Sequence, residues 1–517
     1  MRRSPAIRRI LVANRGEIAV RVIRTVRDLG LTSIAIYSDP DRSALHVLLA
    51  DEAYAVGAAA SAESYLNVER LLRVARAVRA DAIHPGYGFL SENEAFAAAC
   101  REAGIVFIGP SPESIRLMGN KLAAREAARR AGAPLVPGSP GPVSDPQAAR
   151  AEADRIGYPV LLKAAAGGGG KGMRIVPSAS DMERAFTLTR GEAKAAFGDD
   201  QVYLERYVSK PRHVEAQILA DGRGGVYFLG ERECSVQRRH QKILEETPSP
   251  ALDDRTRQRL GETACAIARA ADYANAGTVE FIVDESGEFY FLEMNTRLQV
   301  EHPVTELVTG LDLVAEQIRV AGGEPPSFGS TPPVPRGAAV ECRLYAEDPL
   351  RDFFPSAGPL TRLRWPYGPG VRVDAGVYRG FLVPIHYDPL LAKLATWGGD
   401  RAQAFARMRR ALEETVVEGV ATNVGFHRWL VRHPVLLSGD YDTHFLETHF
   451  TRQCLDADED EERVALLAAA LHEYQKSRQV TLPGRRETGW KWHGRGAATV
   501  SSRDPGHGRD GRHGRKP

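Results

Sequence analysis

The sequence is poor in features that mark secreted, membrane-spanning and nucleic-acid-binding proteins. Its five cysteines among 517 residues are Cys100, Cys234, Cys265, Cys342 and Cys454. They form no CxxC pair, which favours reduced thiols in a cytoplasmic protein over a disulfide or zinc framework. No apolar run is long enough to span a bilayer. The formal net charge of +2 gives no reason to expect nucleic acid as a partner. A strand predicted from Arg9 leaves too little for a signal or transit peptide.

Two common nucleotide-binding loops are also absent. The first predicted strand ends at Asn14, and the turn after it lacks the G-x-G-x-x-G pattern of dinucleotide-binding folds. In the glycine-rich segment, Lys171 is followed by Gly172, where a Walker A loop needs Ser or Thr. These absences exclude two ways of holding phosphates, and leave open others that use glycine-rich backbone.

The composition is that of a soluble globular protein long enough for about three domains. Apolar residues make up 43% of the chain and charged residues 26%. Strand and helix patterns alternate from Arg9 to Ile108, which predicts a parallel α/β domain with functional loops after its strands. The loops at 14–17 and 84–88 follow such strands, although either could be a plain turn.

Proline and glycine divide the rest of the chain. A Pro/Gly-rich connector lies at 133–146 and a Pro-rich linker at 325–335, and strand-like runs and a helix at 401–415 follow the linker. Beyond Thr451 the apolar pattern decays, and 501–517 is expected to be disordered because it has almost no hydrophobic residues. We therefore expect domains at 1–120, 121–325 and 336–450, and an extension at 451–517.

A lysine followed by a glycine-rich loop points to phosphate binding. One predicted strand ends in Lys163, four glycines follow at 167–170, and a second strand begins at Met173. Consecutive glycines let the backbone approach a phosphate closely and present N–H groups to it. The two strands would form a hairpin flap that closes over a nucleotide. A loop that merely links two strands is the alternative. Lys121 lies within a helix predicted at 111–132.

The stretch 289–306 carries the densest set of candidate catalytic residues. Glu293, Asn295, Arg297, Gln299 and Glu301 occupy every second position, so an extended chain would place them on one face. A straight strand would spread them over roughly 26 Å, too far for one reaction centre. We therefore expect the chain to bend after Asn295. The alternative is the solvated face of an edge strand.

A predicted strand at 277–281 precedes this stretch, and a turn at 284–287 would join the two into a hairpin. Glu280 would then face Glu293 and Asn295. Like charges on adjacent strands repel unless something positive lies between them, and carboxylate and amide oxygens are ligands of Mg²⁺. The sequence therefore predicts a magnesium site. The charge-dense segment 231–242 is interpreted as an anion site, with a solvated hairpin tip as the alternative.

In their order and spacing, these segments resemble the biotin carboxylase family of the ATP-grasp group. The resemblance runs from about Ile10 to Phe450. It implies a multidomain α/β and α+β fold, with a parallel α/β amino-terminal domain, an ATP-grasp domain with a mobile lid at about 135–208, and a carboxy-terminal mixed-sheet domain. It also implies a ligase that uses ATP and bicarbonate to carboxylate the ureido nitrogen of biotin on a carrier protein. The matching segments are 13–17, 84–93, the glycine loop, 231–246 and 293–305.

The resemblance implies a role for each matching residue around the nucleotide. Two Mg²⁺ or Mn²⁺ ions would be held by Glu280, Glu293 and Asn295, bridging the phosphates. The implied ATP-binding residues are Lys121, Lys163, Gly169, Gly170, Glu205, Arg206, Tyr207, Val208, His213, His240, Glu280 and Glu293.

The remaining roles concern bicarbonate and biotin. Bicarbonate would bind to Lys242, Arg297, Gln299 and the backbone of Val300. Glu301 is predicted to act as the general base that takes the bicarbonate proton, giving carboxyphosphate, and Arg343 to stabilise the charged ureido oxygen of biotin. Biotin would lie beside Tyr87 and Gly88. The implied catalytic residues are Lys242, Arg297, Glu301 and Arg343.

The sequence lacks the site at which biotin is normally attached. None of its methionines adjoins a lysine, so the usual Met-Lys-Met setting is missing. There is also no room for a carboxyltransferase domain. We therefore expect a separate subunit that works with a biotin carboxyl carrier protein and carboxyltransferase subunits, and that forms a homodimer if it follows the family. Biotin would be a carrier-bound substrate, and the final carboxyl acceptor, an acyl-CoA or pyruvate, stays open.

Other classes of function fit parts of the pattern. A carboxyaminoimidazole or carbamoyl-phosphate synthase would share the lysines and metal acids, but would not need Arg297, Gln299 and Glu301 together with Arg343. A non-catalytic nucleotide-binding homologue would be marked by loss of a metal acid or of Lys242, and neither is lost. A nucleic-acid-binding role rests on the basic tail alone.

Overall fold

A computed structural model describes residues 7–165, 172–456 and 459–478. The chain forms two compact units, one ending at Leu455 and the other beginning at Asp456. The predicted loop glycines Gly169 and Gly170 and the predicted disordered tail at 501–517 lie outside the described residues. Among the described helices, none combines the length and apolarity needed to cross a membrane.

The first unit opens with a five-stranded parallel sheet, as the alternation of strands and helices predicted. In space the order is third, second, first, fourth, fifth strand. Strand β3 and helix α2 were not predicted, because β3 is a partly exposed edge strand without an apolar run. The elements are β1 (Arg9–Val12), α1 (Gly16–Asp28), β2 (Thr32–Ser38), α2 (Leu45–Leu49), β3 (Glu52–Gly57), α3 (Val68–Ala77), β4 (Ala82–His84), α4 (Glu94–Glu102), β5 (Val106–Phe107) and α5 (Pro112–Gly119).

The single helix predicted at 111–132 is wrong, because the structure has two helices there. Helix α5 ends at Gly119, and α6 spans Lys121–Arg130. Between them Asn120 has an extended backbone, and its side-chain Oδ1 accepts from the Ala123 N–H at 3.0 Å. Asparagine is a favoured cap at this position, so Asn120 starts a new helix. Lys121 therefore lies in the first turn of a helix rather than inside a longer one.

The predicted hairpin flap is present as part of a small antiparallel sheet. Strands β6 (Val160–Ala164) and β7 (Met173–Val176) pair with Lys163 opposite Met173, and β8 (Val202–Arg206) pairs with the other edge of β6. Helices α7 (Pro146–Ile156) and α8 (Met182–Phe197) pack against it.

The remaining elements of the first unit are the strands of an eight-stranded antiparallel sheet, several short strands and the helices between them. They are β9 (Arg212–Ala220), β10 (Val226–Arg238), β11 (Gln241–Thr247), α9 (Asp254–Ala270), β12 (Asn275–Val283), β13 (Phe289–Asn295), α10 (His302–Thr309), α11 (Leu313–Ala321), β14 (Ala338–Tyr345), β15 (Glu347–Asp348), β16 (Phe354–Pro355), β17 (Gly358–Pro359), β18 (Arg362–Arg364), β19 (Val371–Ala375), β20 (Leu382–Val383), β21 (Leu390–Gly398), α12 (Arg401–Glu414), β22 (Val416–Glu418), α13 (Val424–Leu430), α14 (Pro434–Ser438) and α15 (Phe445–His449). The second unit contributes α16 (Glu459–Arg478).

The eight-stranded sheet joins two regions that the Pro-rich linker separates in sequence. Its order is β13-β12-β9-β10-β11-β14-β21-β19, and β11 pairs with β14 so that Leu244 lies opposite Cys342. One sheet thus spans the predicted boundary between the second and third domains, and the division at 325–335 stays a prediction. Within residues 336–450, the strands named above pair with one another in antiparallel fashion.

Strand β14 shows how this sheet separates apolar and charged layers. All eight of its residues are buried. Val340, Cys342 and Leu344 pack in one apolar cluster with residues of α12, whereas the alternate residues Glu341 and Arg343 face the other side. The two-residue period of a strand therefore places a buried layer of charge directly behind a hydrophobic core.

Truncating the α12 side of this core should destabilise the first unit. Phe405 is 1% exposed, so Phe405→Ala leaves a cavity and should lower the free energy of unfolding by about 3–5 kcal/mol. Leu382→Ala, at a side chain 64% exposed, is the matched control and should change it by less than about 0.5 kcal/mol. Urea denaturation followed by tryptophan fluorescence measures both. Equal effects of the two substitutions would contradict this account of the core.

Candidate active site

A cleft of about 1090 Å³ in the first unit brings together nearly all of the predicted site residues. Gly169 and Gly170 lie outside the described residues. Glu301 is fully buried, just beneath the wall of the cleft. The predicted residues that line the cleft are Tyr87, Gly88, Lys121, Lys163, Glu205, Arg206, Tyr207, Val208, His213, His240, Lys242, Glu280, Glu293, Asn295, Arg297, Gln299, Val300 and Arg343.

The predicted hairpin of acids is formed by β12 and β13. Glu280 lies opposite Glu293 in the register, and Thr278 lies opposite Asn295. The Asn295 amide donates to Glu280 Oε1 at 2.9 Å. Burial and the negative charge of Glu280 raise the pKa of Glu293. Two carboxylates and an amide oxygen beside an open cleft, with one acid already destabilised by the other, fit a bound divalent cation.

The chain bends after Asn295, as predicted, and the bend gathers the alternating residues into one pocket. Strand β13 ends at Asn295. Arg297 then donates back to Asn295 Oδ1 at 3.0 Å and forward to Gln299 Oε1 at 3.2 Å. The Gln299 amide donates to Glu280 Oε1 at 3.2 Å. A guanidinium and an amide therefore converge on the predicted metal ligands.

Lys242 is the positive centre of the site. Its ammonium donates to Glu215 Oε2 at 2.6 Å, Glu301 Oε1 at 2.8 Å and Glu280 Oε1 at 2.9 Å, which uses all three of its donors. Burial alone lowers the pKa of a lysine, but these three carboxylates outweigh it and hold the pKa of Lys242 well above its usual range. The ammonium thus connects Glu280, a predicted metal ligand, to Glu301, the predicted base.

Glu301 lies between two cations. Its second oxygen accepts from Arg343 Nη2 at 2.9 Å, and Arg343 Nε donates to Glu245 at 2.6 Å. Burial raises the pKa of Glu301, but Lys242 and Arg343 outweigh burial and hold the pKa well below its usual range. Glu301 is therefore held as an ionised, fully buried carboxylate.

Strands β6 and β8 contribute an ion pair to another part of the cleft. The Glu205 carboxylate accepts short hydrogen bonds from Lys163 and Arg125, so two cations already engage this side chain. The Tyr207 hydroxyl lies 3.3 Å from His444 Nε2. Burial lowers the pKa of Lys121, and Glu293 opposes that shift.

The other end of the cleft is built from the first loops of the parallel sheet. The Asn14 side chain donates to the carbonyls of Pro85 and Tyr87, both at 2.7 Å. Gly86 has a φ of +63°, and a Cβ there would lie 3.0 Å from Asn14 Nδ2, so the turn requires glycine. The Tyr87 hydroxyl donates to Glu17 at the start of α1. The loops at 14–17 and 84–88 are therefore packed against each other.

Sequence reasoning missed several residues that hold this site. Glu92 accepts from Arg297 Nε at 2.8 Å and from the Thr296 N–H at 3.0 Å. Arg232 is fully buried and donates to Glu215 at 2.5 Å. The alternating segment 213–218 carried a usable signal, because Glu215 shares a strand face with His213. Glu92 had none, since its partner lies about two hundred residues away.

Comparison with known proteins agrees with this geometry. Residues 6–115 match the amino-terminal domain of biotin carboxylase, 120–327 the ATP-binding domain of the carbamoyl-phosphate synthase large chain, and 341–448 the carboxy-terminal domain of biotin carboxylase. A biotin carboxylase from Nostoc sp. is 52% identical over 439 residues, which cover 85% of this chain and 98% of the relative. The chain belongs to the biotin carboxylase family. Members are ATP-dependent ligases, and the resemblance seen in the sequence is confirmed.

Solved biotin carboxylases share the fold. A Campylobacter jejuni biotin carboxylase in complex with βγ-ATP matches with a TM-score of 0.83 and 46% identity over 86% of this chain and 99% of that one. The biotin carboxylase domain dimer of Hydrogenobacter thermophilus 2-oxoglutarate carboxylase, solved with MgADP, ADP and bicarbonate, matches with a TM-score of 0.83 and 45% identity over 88% and 99%. Among relatives found by sequence, a pyruvate carboxylase subunit of Methanothermobacter thermautotrophicus is 48% identical over 490 residues. The match covers 91% of this chain and 99% of the relative.

The stability of this family member should depend on pH through Glu17. Burial raises the pKa of Glu17 to about 7 from 4.5, despite the opposing charge of Lys393. The folded state then holds the proton more tightly, so this group's stabilising contribution is full below pH 4.5 and is lost as pH rises towards 7. Relative to Glu17→Gln, the wild-type free energy of unfolding should fall by about 3 kcal/mol across that window.

Chemical denaturation of both proteins at a series of pH values tests this expectation. Glu69→Gln, at a side chain 83% exposed, is the control for removing a surface acid. A difference between wild type and Glu17→Gln that stays constant with pH would contradict the assignment.

Proposed function

We propose that this chain is the biotin carboxylase subunit of a carboxylase that acts on an acyl-CoA or pyruvate. It carboxylates biotin on a carrier protein, with ATP and bicarbonate as the other substrates and carboxyphosphate as the intermediate. The single observation that carries this proposal is the buried Glu301 carboxylate, held between Lys242 and Arg343 next to the acid pair Glu280 and Glu293. A synthase that does not bind biotin has no need of Arg343, the second of these two cationic side chains.

The nucleotide lies along the side of the cleft lined by Lys121, Lys163 and the lid strands. The positive side chains attract the phosphates. Residues 205–208, which also line the cleft, present their backbone to the adenine ring. Two Mg²⁺ or Mn²⁺ ions fit the oxygens of Glu280, Glu293 and Asn295, and when bound they neutralise charge on the transferring phosphate. The raised pKa of Glu293 supports this, because it records negative charge that a cation would relieve.

Bicarbonate binds beside the bend, between Arg297, Gln299, Val300 and Lys242. Arg297 offers a planar fork of N–H groups that suits a planar anion. Lys242 already uses its three donors on carboxylates, so bicarbonate has to share one of them. An anion there adds negative charge next to Glu301, weakens the hold of Lys242 on it and raises the pKa of the base towards that of its substrate.

The proton then moves in a balanced sequence. Glu301 takes the bicarbonate O–H proton as that oxygen bonds to the γ-phosphorus and ADP leaves, giving carboxyphosphate. Carboxyphosphate breaks its C–O bond to give CO₂ and phosphate, and the phosphate takes the N–H proton of biotin. The ureido oxygen becomes negative beside Arg343, and the nitrogen attacks CO₂. Tyr87 and Gly88 border the biotin ring.

The proposed partners are those expected for the family to which this chain belongs. We propose that it works with a biotin carboxyl carrier protein and carboxyltransferase subunits, and that it forms a homodimer, as the Hydrogenobacter domain does. The matches to the Methanothermobacter pyruvate carboxylase relative and to the Ruegeria pomeroyi propionyl-CoA carboxylase alpha chain cover 91% and 94% of this chain, so they reach past residue 451. That coverage supports pyruvate or an acyl-CoA as the final acceptor.

The central test is ADP release that requires both bicarbonate and free biotin. Wild type should show this double requirement, whereas a carbamoyl-phosphate-type enzyme would respond to an amine donor and not to biotin. Glu301→Gln keeps the shape but cannot take a proton, so bicarbonate-dependent ADP release should fall by about 10²-fold or more, with the ADP dissociation constant within about threefold of wild type.

Glu316→Gln is the matched control, because Glu316 is also buried but lies outside the cleft and accepts from the Ser327 N–H at 2.9 Å. It should retain most of the activity. Bicarbonate-coupled ATP cleavage surviving in Glu301→Gln would refute the assigned base.

The metal assignment predicts a changed magnesium requirement. Glu293→Gln removes a charged oxygen ligand and should raise the Mg²⁺ concentration for half-maximal activity by about tenfold or more. Glu288→Gln, on the same hairpin but 53% exposed, should leave it unchanged. Activity titrated with Mg²⁺ at fixed ATP measures both. An unaltered magnesium requirement in Glu293→Gln would contradict the site, and manganese titrated by electron paramagnetic resonance counts the ions.

A further inference from the structure

Lys393 is a fully buried lysine that the mechanism above does not use. It lies in β21, is 1% exposed and is one of the largest completely buried side chains of the described residues. Its ammonium donates to the Val300 carbonyl at 2.8 Å and lies 3.2 Å from Glu17 Oε1. It also lies 5.8 Å from the centre of the Tyr87 ring. A buried ammonium is unfavourable unless its donors are satisfied. The contacts that Lys393 makes must therefore offset the cost of burying its charge.

The first partner places Lys393 behind the bicarbonate side of the cleft. Val300 follows Gln299 and precedes Glu301, so its peptide lies between an anion-binding side chain and the base. On either side the bend is held by other groups: His302 Nδ1 lies 2.7 Å from the Gln299 carbonyl, and Arg297 is fixed by Glu92. Lys393 holds the middle of the bend, and by holding the Val300 carbonyl it fixes the peptide group that joins Val300 to Glu301.

The second partner places Lys393 behind the biotin side. Glu17 opens helix α1, and the Tyr87 hydroxyl donates to the same Oε1 atom that Lys393 approaches. The other oxygen, Oε2, is buried and has no hydrogen-bond partner among the described residues. One carboxylate therefore joins the ammonium to the tyrosine that borders the biotin pocket.

Strand pairing leaves Lys393 little freedom. It lies opposite Arg343 on β14 and opposite Asp374 on β19. Both backbone neighbours are fixed by the sheet, and the side chain is enclosed. An ammonium held in this way is a rigid support, not a mobile group.

We propose that Lys393 is a positioning residue that links the two substrate subsites, fixing the Val300 peptide for bicarbonate and, through Glu17, the Tyr87 hydroxyl for biotin. The proposal deepens the proposed function and rests on it. Lys393 touches no substrate. It holds the bicarbonate bend and the biotin loop, which lie about two hundred residues apart in the sequence, at one fixed separation, so that CO₂ released on one side meets the ureido nitrogen on the other.

The test compares Michaelis constants in the full-length chain, with free biotin as the acceptor. Lys393→Met keeps the apolar stem but removes the ammonium, and should raise the KM for bicarbonate by about tenfold, as expected for one charge-assisted hydrogen bond. The KM for biotin should rise by about fivefold, and the KM for ATP should stay within about threefold of wild type. A purely structural role would not separate these constants.

Arg401→Met is the matched control. Arg401 also pairs with a buried glutamate, Glu246 at 2.5 Å, and donates to two backbone carbonyls, those of Leu436 and Leu437, but it does not line the cleft. It therefore measures what losing such a pair does to stability alone. If Lys393→Met leaves the bicarbonate KM unchanged, or raises all three KM values alike, the proposal is overturned.

Glu17→Gln keeps the test decisive if Lys393→Met does not fold. The amide retains the side-chain shape and leaves the Lys393 contact to Val300 in place, so the biotin KM should rise by about fivefold while the bicarbonate KM changes by less than about twofold. An unchanged biotin KM in Glu17→Gln overturns the link to Tyr87. Wild-type protein with no ADP release dependent on biotin and bicarbonate would instead refute the proposed function, an outcome separate from both.

Discussion

One ammonium group organises the centre of this molecule. Lys242 donates to three buried carboxylates, those of Glu215, Glu280 and Glu301, and each lies on a different segment of the chain. Without the lysine these acids would repel one another in a poorly solvated site. The ammonium thus holds Glu280, a proposed metal ligand, and Glu301, the proposed base, within a few ångströms of each other, and in the proposed mechanism the substrates compete for its donors. An incoming anion can therefore redistribute the charge of the whole cluster.

The eight-stranded sheet makes such a cluster possible. Alternation along β14 points Val340, Cys342 and Leu344 into an apolar core and Arg343 towards Glu301. The hydrophobic face supplies stability, and the opposite face carries charges that stabilise one another by pairing. Because the strands are locked in register, the charged groups cannot relax away from unfavourable neighbours, and Glu341 remains a buried carboxyl whose pKa burial raises well above its usual range. The same rigidity suits a site that must hold several groups in fixed geometry.

The sequence predicted the local features well, because they depend on residues close together in the chain. The hairpin carrying Glu280 and Glu293, the bend after Asn295 and the strand that carries Lys163, which continues to Ala164, all follow from alternation, turn residues and the length of an extended strand. The single helix predicted at 111–132 was wrong because Asn120 caps a second helix there. The strand β3 was missed because an exposed edge strand carries little hydrophobic signal. The assigned roles of the site residues remain predictions that the geometry supports.

By itself, the sequence determined which chemical groups are present and their order: the acids, the lysines, the glycine loop and the motifs that resemble the family. The tertiary structure alone decided which of them meet. Glu92 reaches Arg297, Arg125 reaches Glu205, and Lys393 connects Glu17 with Val300, through contacts between distant parts of the chain. Periodicity reports the face on which a side chain lies but carries no information about its partner across the fold. Those partners and burial set the pKa of each ionisable side chain, so the pKa shifts arise only when the chain is folded.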